Sequence, residues 1–363
     1  METDQDLHSD LAIPPGEYLL EVTEELGMPQ ADLARRMGRP IQAISEIIKG
    51  HKAITPETAL QLEEVVGISA HIWSGLEADY QLAKAREEFA CQVEAEAATV
   101  TRFPYPEMSK MGLVKATRNR IEKVKELRRY FGVASLVNLA KVRSYAPAFR
   151  QTNKGKVSHE ALAAWLRAGE LEARRIKTEP FDSKRLKARL PELRELTREP
   201  PARFGPQLKT LLAECGVALV LLPHLPKTYT NGATFWLGKE KAVLMMTLRG
   251  SWADIFWFSL FHELGHILLH DKRHVFLEDG DPDTKWQQQE NEAYQFAQQA
   301  LIPTKAYQRF LNETPRFTKA TVKAFADFIG TCPGIITGRL QHDKKLPHTH
   351  HMYRSRLKWA EGE

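Results

Sequence analysis

Trp252-Ala-Asp-Ile-Phe-Trp-Phe-Ser-Leu-Phe-His-Glu-Leu-Gly-His-Ile-Leu-Leu269 is the stretch on which the reading of this chain turns. It is long, mostly apolar and free of proline, so it predicts a buried helix. Residues four apart share a helical face, so His262 and His266 point the same way with Glu263 beside them. Ile255, Phe256, Phe258, Leu260, Phe261, Ile267 and Leu268 make the helix otherwise apolar. Unpartnered polar groups there would cost on the order of several kcal/mol. A tetrahedral Zn2+ held by both imidazoles, with Glu263 placed to take a proton from water, accounts for all three. For a chain with 13 His and 33 Glu, the five-residue pattern arises by chance about 0.04 times.

A third ligand must come from elsewhere. Lys272 stands where a metzincin has its third histidine, which excludes that class. The next helical stretch reads Glu290-Asn-Glu-Ala-Tyr-Gln-Phe-Ala-Gln-Gln-Ala-Leu-Ile-Pro303. Glu290 shares a face with Ala293 and Ala297, small residues that allow close approach to the first helix. Glu292 lies about 200° further round and faces solvent. Glu290 is the expected ligand, with Glu292 the alternative. Upstream, helices are expected around 183–198 and 204–214. Strands are expected at 217–222, 233–237 and 242–247, the last two joined by a turn at Gly238. A small sheet beside a buried helix is α+β organisation, here mostly α.

Residues 205–305 resemble the ImmA/IrrE metallopeptidase family. The likeness rests on Asn231-Gly-Ala233, Leu248-Arg249, Trp257 to His266, His270, Glu290-x-x-Ala293, Phe296-Ala297 and Leu301-Ile-Pro303. It implies a zincin-like domain with His262, His266 and Glu290 as zinc ligands, Glu263 as catalytic residue, and metal-assisted peptide hydrolysis. One position departs: the family usually has Asn or Asp after that Ala, and here it is Tyr294. An acceptor that orients a ligand histidine is thereby missing or replaced. His270 and Tyr294 are the candidate oxyanion-stabilising donors. Strand 233–237 is a candidate to pair with an extended peptide.

The first ninety residues read as five helices. Residues 17–26, 30–37 and 41–48 are followed by a helix capped at Thr55-Pro56 and a longer one capped at Ser69, running to about Phe89. The third helix has Ile41, Ile44, Ile47 and Ile48 on its inward stripe. Two short helices around Gly38-Arg-Pro40 suggest a helix-turn-helix. Residues 13–82 resemble the HigA-type antitoxin branch of the phage-repressor-like family, through Ile13-Pro-Pro-Gly-Glu17, Gln30 to Ala34, Ile44 to Gly50, Ile54 to Ala59, Trp73 and Tyr80. The resemblance implies a homodimer on an operator in double-stranded DNA. Gln42, Ala43, Ser45 and Glu46 are the outward positions of the second helix of the motif, flanked by Arg39 and Lys49. They are the candidate base and phosphate contacts.

Charge divides the chain further. Residues 1–100 hold 7 Lys and Arg against 19 Asp and Glu, whereas 101–209 hold 26 against 11. The acidic block weakens non-specific attraction to phosphate. The basic block suits an acidic partner, either nucleic acid or the first domain itself. The expected organisation is a helix-turn-helix domain at 1–90, a basic helical connector at 91–200, a metallopeptidase domain at 201–345 and a polar tail at 346–363. His348, His350 and His351 of that tail are read as adventitious. The acidic N-terminus, the absence of long apolar runs and three dispersed cysteines point to a cytoplasmic chain with reduced thiols and no membrane partner. Two functions compete, beside a degenerate structural zinc domain. One is a regulatory zinc endopeptidase that cleaves a repressor or antitoxin-like partner. The other is a DNA-binding antitoxin or autorepressor whose zinc domain docks a toxin or other partner without turnover.

Overall fold

The computed structural model describes residues 12–142, 144–145, 148, 157–270, 276–277 and 284–359. The chain separates into two compact units, Met1–Glu96 and Ala97–Glu363.

The first unit is five helices: α1 (Pro15–Glu25), α2 (Gln30–Arg36), α3 (Ile41–Ile48), α4 (Pro56–Val66) and α5 (Ala70–Ala95). Pro14, Pro29 and Pro40 occupy the N-caps of the first three, where extended backbone is needed and no N–H is lost from a helix interior. Thr55 caps α4 by accepting from Thr58 N–H at 3.3 Å, and Gly67 ends it at φ 77°. Leu19, Leu33, Ile44, Ile47, Leu62 and Trp73 form the core, and the Trp73 indole donates to the Ile68 carbonyl at 3.2 Å. The inward stripe of α3 differs from the sequence reading by one position. Ile41, first after Pro40, is 54% exposed, and Ala43 is 8% exposed and turned inward.

Gly16 fixes how α1 meets α3. A Cβ there would lie 2.0 Å from the Ile47 carbonyl oxygen and 2.6 Å from Ile48 Cα. Both are backbone atoms, so a side chain forces the helices apart. Gly16→Ala is expected to destabilise this unit by about 1–3 kcal/mol, read as a lower denaturation midpoint. An unchanged midpoint would mean that α1 does not seat as described.

The second unit begins with α6 (Tyr105–Lys110), α7 (Arg120–Phe131), α8 (His159–Arg175), α9 (Ser183–Glu195) and α10 (Pro201–Glu214). Four strands follow, β1 (Val217–Leu221), β2 (Gly232–Leu237), β3 (Lys241–Met246) and β4 (Phe276–Leu277), with α11 (Ala253–Leu269) between β3 and β4. The chain then runs through α12 (Thr284–Leu301), α13 (Thr304–Glu313), α14 (Lys319–Ile329) and α15 (Pro333–His342). The sheet order is β1-β3-β2-β4, with β1 parallel to β3 and the other pairs antiparallel. Strand side chains alternate between faces. Leu244 and Met246 join the core that holds Phe261 and Leu264 of α11. Met245, on the opposite face, packs on α8, where a Cβ at Gly169 would meet its sulfur. The sheet is therefore covered by α8 on one side and α11 on the other, which accounts for strands apolar on both faces.

Residues 97–200 thus lie within the second unit. Part of their basic excess closes ion pairs inside it: Arg167 and Arg174 on Glu170 at 2.8 and 2.7 Å, and Arg198 on Asp327 at 3.0 Å. The 233–237 strand is interior at its start, where Ala233 and Thr234 pair with β4, so β-addition of a peptide there is blocked. The C-terminal stretch is seated rather than loose. Leu357 is buried, Arg354 pairs with Asp254 at 2.8 Å, and the His351 ring stacks on Trp252. Among the described residues no helix is long and apolar enough to cross a membrane.

Candidate metal centre

Helix α11 is buried from Ser259 to Ile267. Helix α12 lies against it through Gly265, where a Cβ would stand 3.0 Å from Ala293 Cα. Ala293 and Ala297 are fully buried. This close approach lets short side chains from two helices converge. His262 Nε2 and His266 Nε2 are 3.0 Å apart. Glu290 brings Oε2 to 3.1 Å from the first and Oε1 to 3.3 Å from the second. Ligand atoms around a tetrahedral zinc with bonds near 2.0–2.1 Å are separated by roughly 3.3 Å, so the three side chains have the spacing of one ion's donors. They are the one His/Cys/Asp/Glu group of this kind found among the described residues.

The protonation states suit a cation. Burial pushes the His266 imidazole down to about 4, so it is neutral at physiological pH. Burial alone would raise the Glu290 carboxyl, but the hydrogen bond with His262 and the neighbouring His266 outweigh it and hold the group at about 2. A neutral imidazole and an ionised carboxylate are forms a metal requires. Glu263, 1% exposed, sits beside the triad. Gly232 at the start of β2 passes directly over its carboxylate, and a Cβ on Gly232 would fall 2.8 Å from Oε1.

The outer contacts distinguish the two histidines. His266 Nδ1 lies 3.0 Å from His270 Nδ1, and His270 Nε2 lies 3.1 Å from Glu292 Oε2. A carboxylate on His270 Nε2 fixes the proton there. Nδ1 of the neutral His270 ring then accepts from His266 Nδ1–H, leaving His266 Nε2 bare for a metal. Burial lowers the His270 pKa and favours this neutral form. Glu292, 44% exposed, is therefore engaged by His270 while still facing solvent. The sequence reading missed it because α11 ends at Leu269 and His270, with extended backbone at φ −114° and ψ 165°, leaves the helical face. His270 is placed by these contacts as a support for His266.

His262 has no such support. Its buried Nδ1 has no hydrogen-bond partner among the described residues. Tyr294, where the resembling family has Asn or Asp, turns its hydroxyl to His342 Nε2 at 2.8 Å and its ring to Phe258. Tyr294→Asn offers Nδ1 an acceptor and is expected to tighten zinc binding about tenfold, measured by competition with a chelating dye. Unchanged affinity would show that His262 needs no further orientation.

In the first unit, Gln42 and Lys49 are exposed and Ser45 and Glu46 half-exposed on α3, and Gln42 donates to Glu46 at 3.0 Å. Ala43 is buried and drops out of the candidate contacts. Arg39 is held by Gln61 at 2.6 Å and Glu57 at 3.5 Å, within its own unit.

Residues 255–327 match the family described as IrrE N-terminal-like domain, of the M78 peptidases, and residues 19–73 match helix-turn-helix. Over 73 residues the chain is 33% identical to the uncharacterized HTH-type transcriptional regulator YddM of Escherichia coli strain K12, an overlap of 20% of this chain and 78% of that protein. The solved antitoxin HigA of Pseudomonas aeruginosa, with the higBA promoter, is 30% identical over 24% of this chain and 95% of its own, with a TM-score of 0.23. An addiction module antidote protein of the HigA family from Coxiella burnetii is 29% identical over 23% and 94%, with a TM-score of 0.22. The chain belongs to the helix-turn-helix transcriptional regulators and carries, around its buried histidine pair, an IrrE N-terminal-like domain of the M78 peptidase family.

Proposed function

We propose that this chain is a regulatory zinc endopeptidase joined to a DNA-binding domain, and that it cleaves a repressor or antitoxin-like protein. The observation that carries this reading is the convergence of His262, His266 and Glu290 next to an intact, buried Glu263. Zinc, when held by those three side chains, supplies Lewis acidity for carbonyl polarisation and water activation. Glu263 takes a proton from the attacking water and returns it to the leaving amine. Gly232 leaves its carboxylate room, and the His270–Glu292 pair holds His266 in one tautomer. The test is to incubate the zinc-loaded chain with proteins encoded beside its gene and look for a defined cut that a chelator prevents. No cut in any of them, with zinc present at one per chain, would count against this assignment.

A second reading is a DNA-binding antitoxin or autorepressor whose zinc domain docks a partner without turnover. The lack of a partner on His262 Nδ1 favours it, because a less well oriented ligand suits a sensor better than a catalyst. Both readings include DNA binding, as a dimer on paired half-sites, with α3 in the major groove. Gln42 and Lys49 are the contacts to test. Gln42→Ala with Lys49→Ala is expected to weaken binding to DNA upstream of the gene by about 10- to 100-fold. An unshifted midpoint in a mobility assay would remove α3 as the reading helix.

A further inference from the structure

Helices α11 and α12 run antiparallel, since Phe258 meets Tyr294 where His262 meets Glu290. Each metal-facing stripe continues past the triad. On α11 it runs from His266 and His262 back to Phe258 and Ile255, and on α12 from Glu290 on to Tyr294, Gln298 and Leu301. One helical turn, about 5.4 Å, separates the ligands from the walls of a cavity of about 210 Å³ that these continuations line. Ile335 and His342 of α15 form its third wall, and Asn231 stands at its edge. Asn231 precedes Gly232, the residue laid over the Glu263 carboxylate. The cavity therefore adjoins the metal centre along both helices.

The chemistry of the lining selects its occupant. Phe258, Leu301, Ile302 and Ile335 make the walls apolar, and the charged groups around them are already paired. Asp254 is closed by Arg354 at 2.8 Å, and Arg339 by Asp343 at 2.8 Å. A charged side chain would enter without a free counter-charge and lose its hydration. The volume is below the usual range for cofactor and drug-sized pockets and suits a single side chain. We infer that this cavity receives a large apolar side chain of the substrate polypeptide, from the residue beside the bond presented to Glu263. The Tyr294–His342 hydrogen bond forms its lip. The inference rests on the peptidase reading and gives it a substrate preference. His342 lies outside the matched family region, so the lip is built partly from this chain's own C-terminal helix.

The test uses the full chain loaded with zinc and two hydroxamates that differ in their apolar end, acetohydroxamate and 3-phenylpropanohydroxamate. The phenyl compound should bind about 10- to 200-fold more tightly. Filling the cavity with Ile302→Trp should bring the two affinities together. Because Ile302 is buried, Ile255→Trp at the exposed rim serves as the second variant, with zinc content reporting folding in both. Equal affinities in the unsubstituted chain, or a phenyl preference that survives both tryptophans, would overturn the inference while leaving the metal centre standing. If the chain holds no zinc, or acetohydroxamate does not bind, the peptidase reading fails. The cavity is then read separately with N-acetylphenylalaninamide by saturation-transfer NMR. Binding that Ile255→Trp removes supports the cavity, and no binding rejects it.

Discussion

Exchanging Glu290 for Gln is expected to strip the metal centre. The substitution keeps size and hydrogen-bonding reach but removes the charge that balances a dication. What remains is two imidazoles in a buried site, His262 at 5% and His266 at 2% exposed, with no anionic ligand to offset the cost of taking Zn2+ from water. Loss of a partner that only orients a ligand costs about 10- to 100-fold in metal affinity, so loss of the charged ligand itself should exceed about 100-fold. Elemental analysis after dialysis should find close to one zinc per chain in the parent and close to none in Glu290→Gln. Thermal unfolding gives an independent reading. A ligand at 100 times its dissociation constant stabilises by about 2.7 kcal/mol, so a chelator should lower the parent's melting point and leave that of the variant unmoved. Full zinc retention by Glu290→Gln would show that the carboxylate is not a ligand, and would turn attention to Glu292.

The parts of this site that were legible in the sequence are those governed by one helix at a time. The spacing of His262 and His266 fixes their common face, and Ala293 and Ala297 announce a close helical contact, which the structure makes through Gly265. Contacts that depend on where a helix stops, or on a distant element, were not legible. Helical periodicity assigns Glu292 to solvent, yet it meets His270 because that residue has already left the helix. The pairing of Tyr294 with His342 spans 48 residues and no local pattern encodes it.

The fold shows the same division. The five helices of the first unit follow from caps and apolar spacing, and Ile44 and Ile47 of α3 face inward as the spacing requires, but Ile41 stands at the mouth of the helix, where its side chain clears the bundle. In α8 the burial of Trp165 is expected from the helical reading of 160–173, and Ala161, Ala164 and Ala168 are buried with it. Alanines carry little hydrophobic signal, and they let a helix lie flat on a sheet, so that this helix covers one is not legible from its residues.

Glu263→Gln separates catalysis from binding. The side chain is 1% exposed and its volume is nearly unchanged by the substitution, so neither packing nor the three ligand positions are disturbed. The variant should bind zinc as the parent does and engage the same protein partner. A glutamine amide cannot accept the proton of the attacking water, and loss of a general base costs about 10²- to 10⁴-fold in rate. The expected result is a single-turnover cleavage rate reduced by that factor, at unaltered zinc stoichiometry and unaltered partner affinity. This combination also distinguishes the two functional readings. If Glu263→Gln abolishes the cut and with it the regulatory effect in cells, turnover is the function. If the variant regulates fully without cutting, the buried carboxylate serves only the shape of the site and the chain acts by binding.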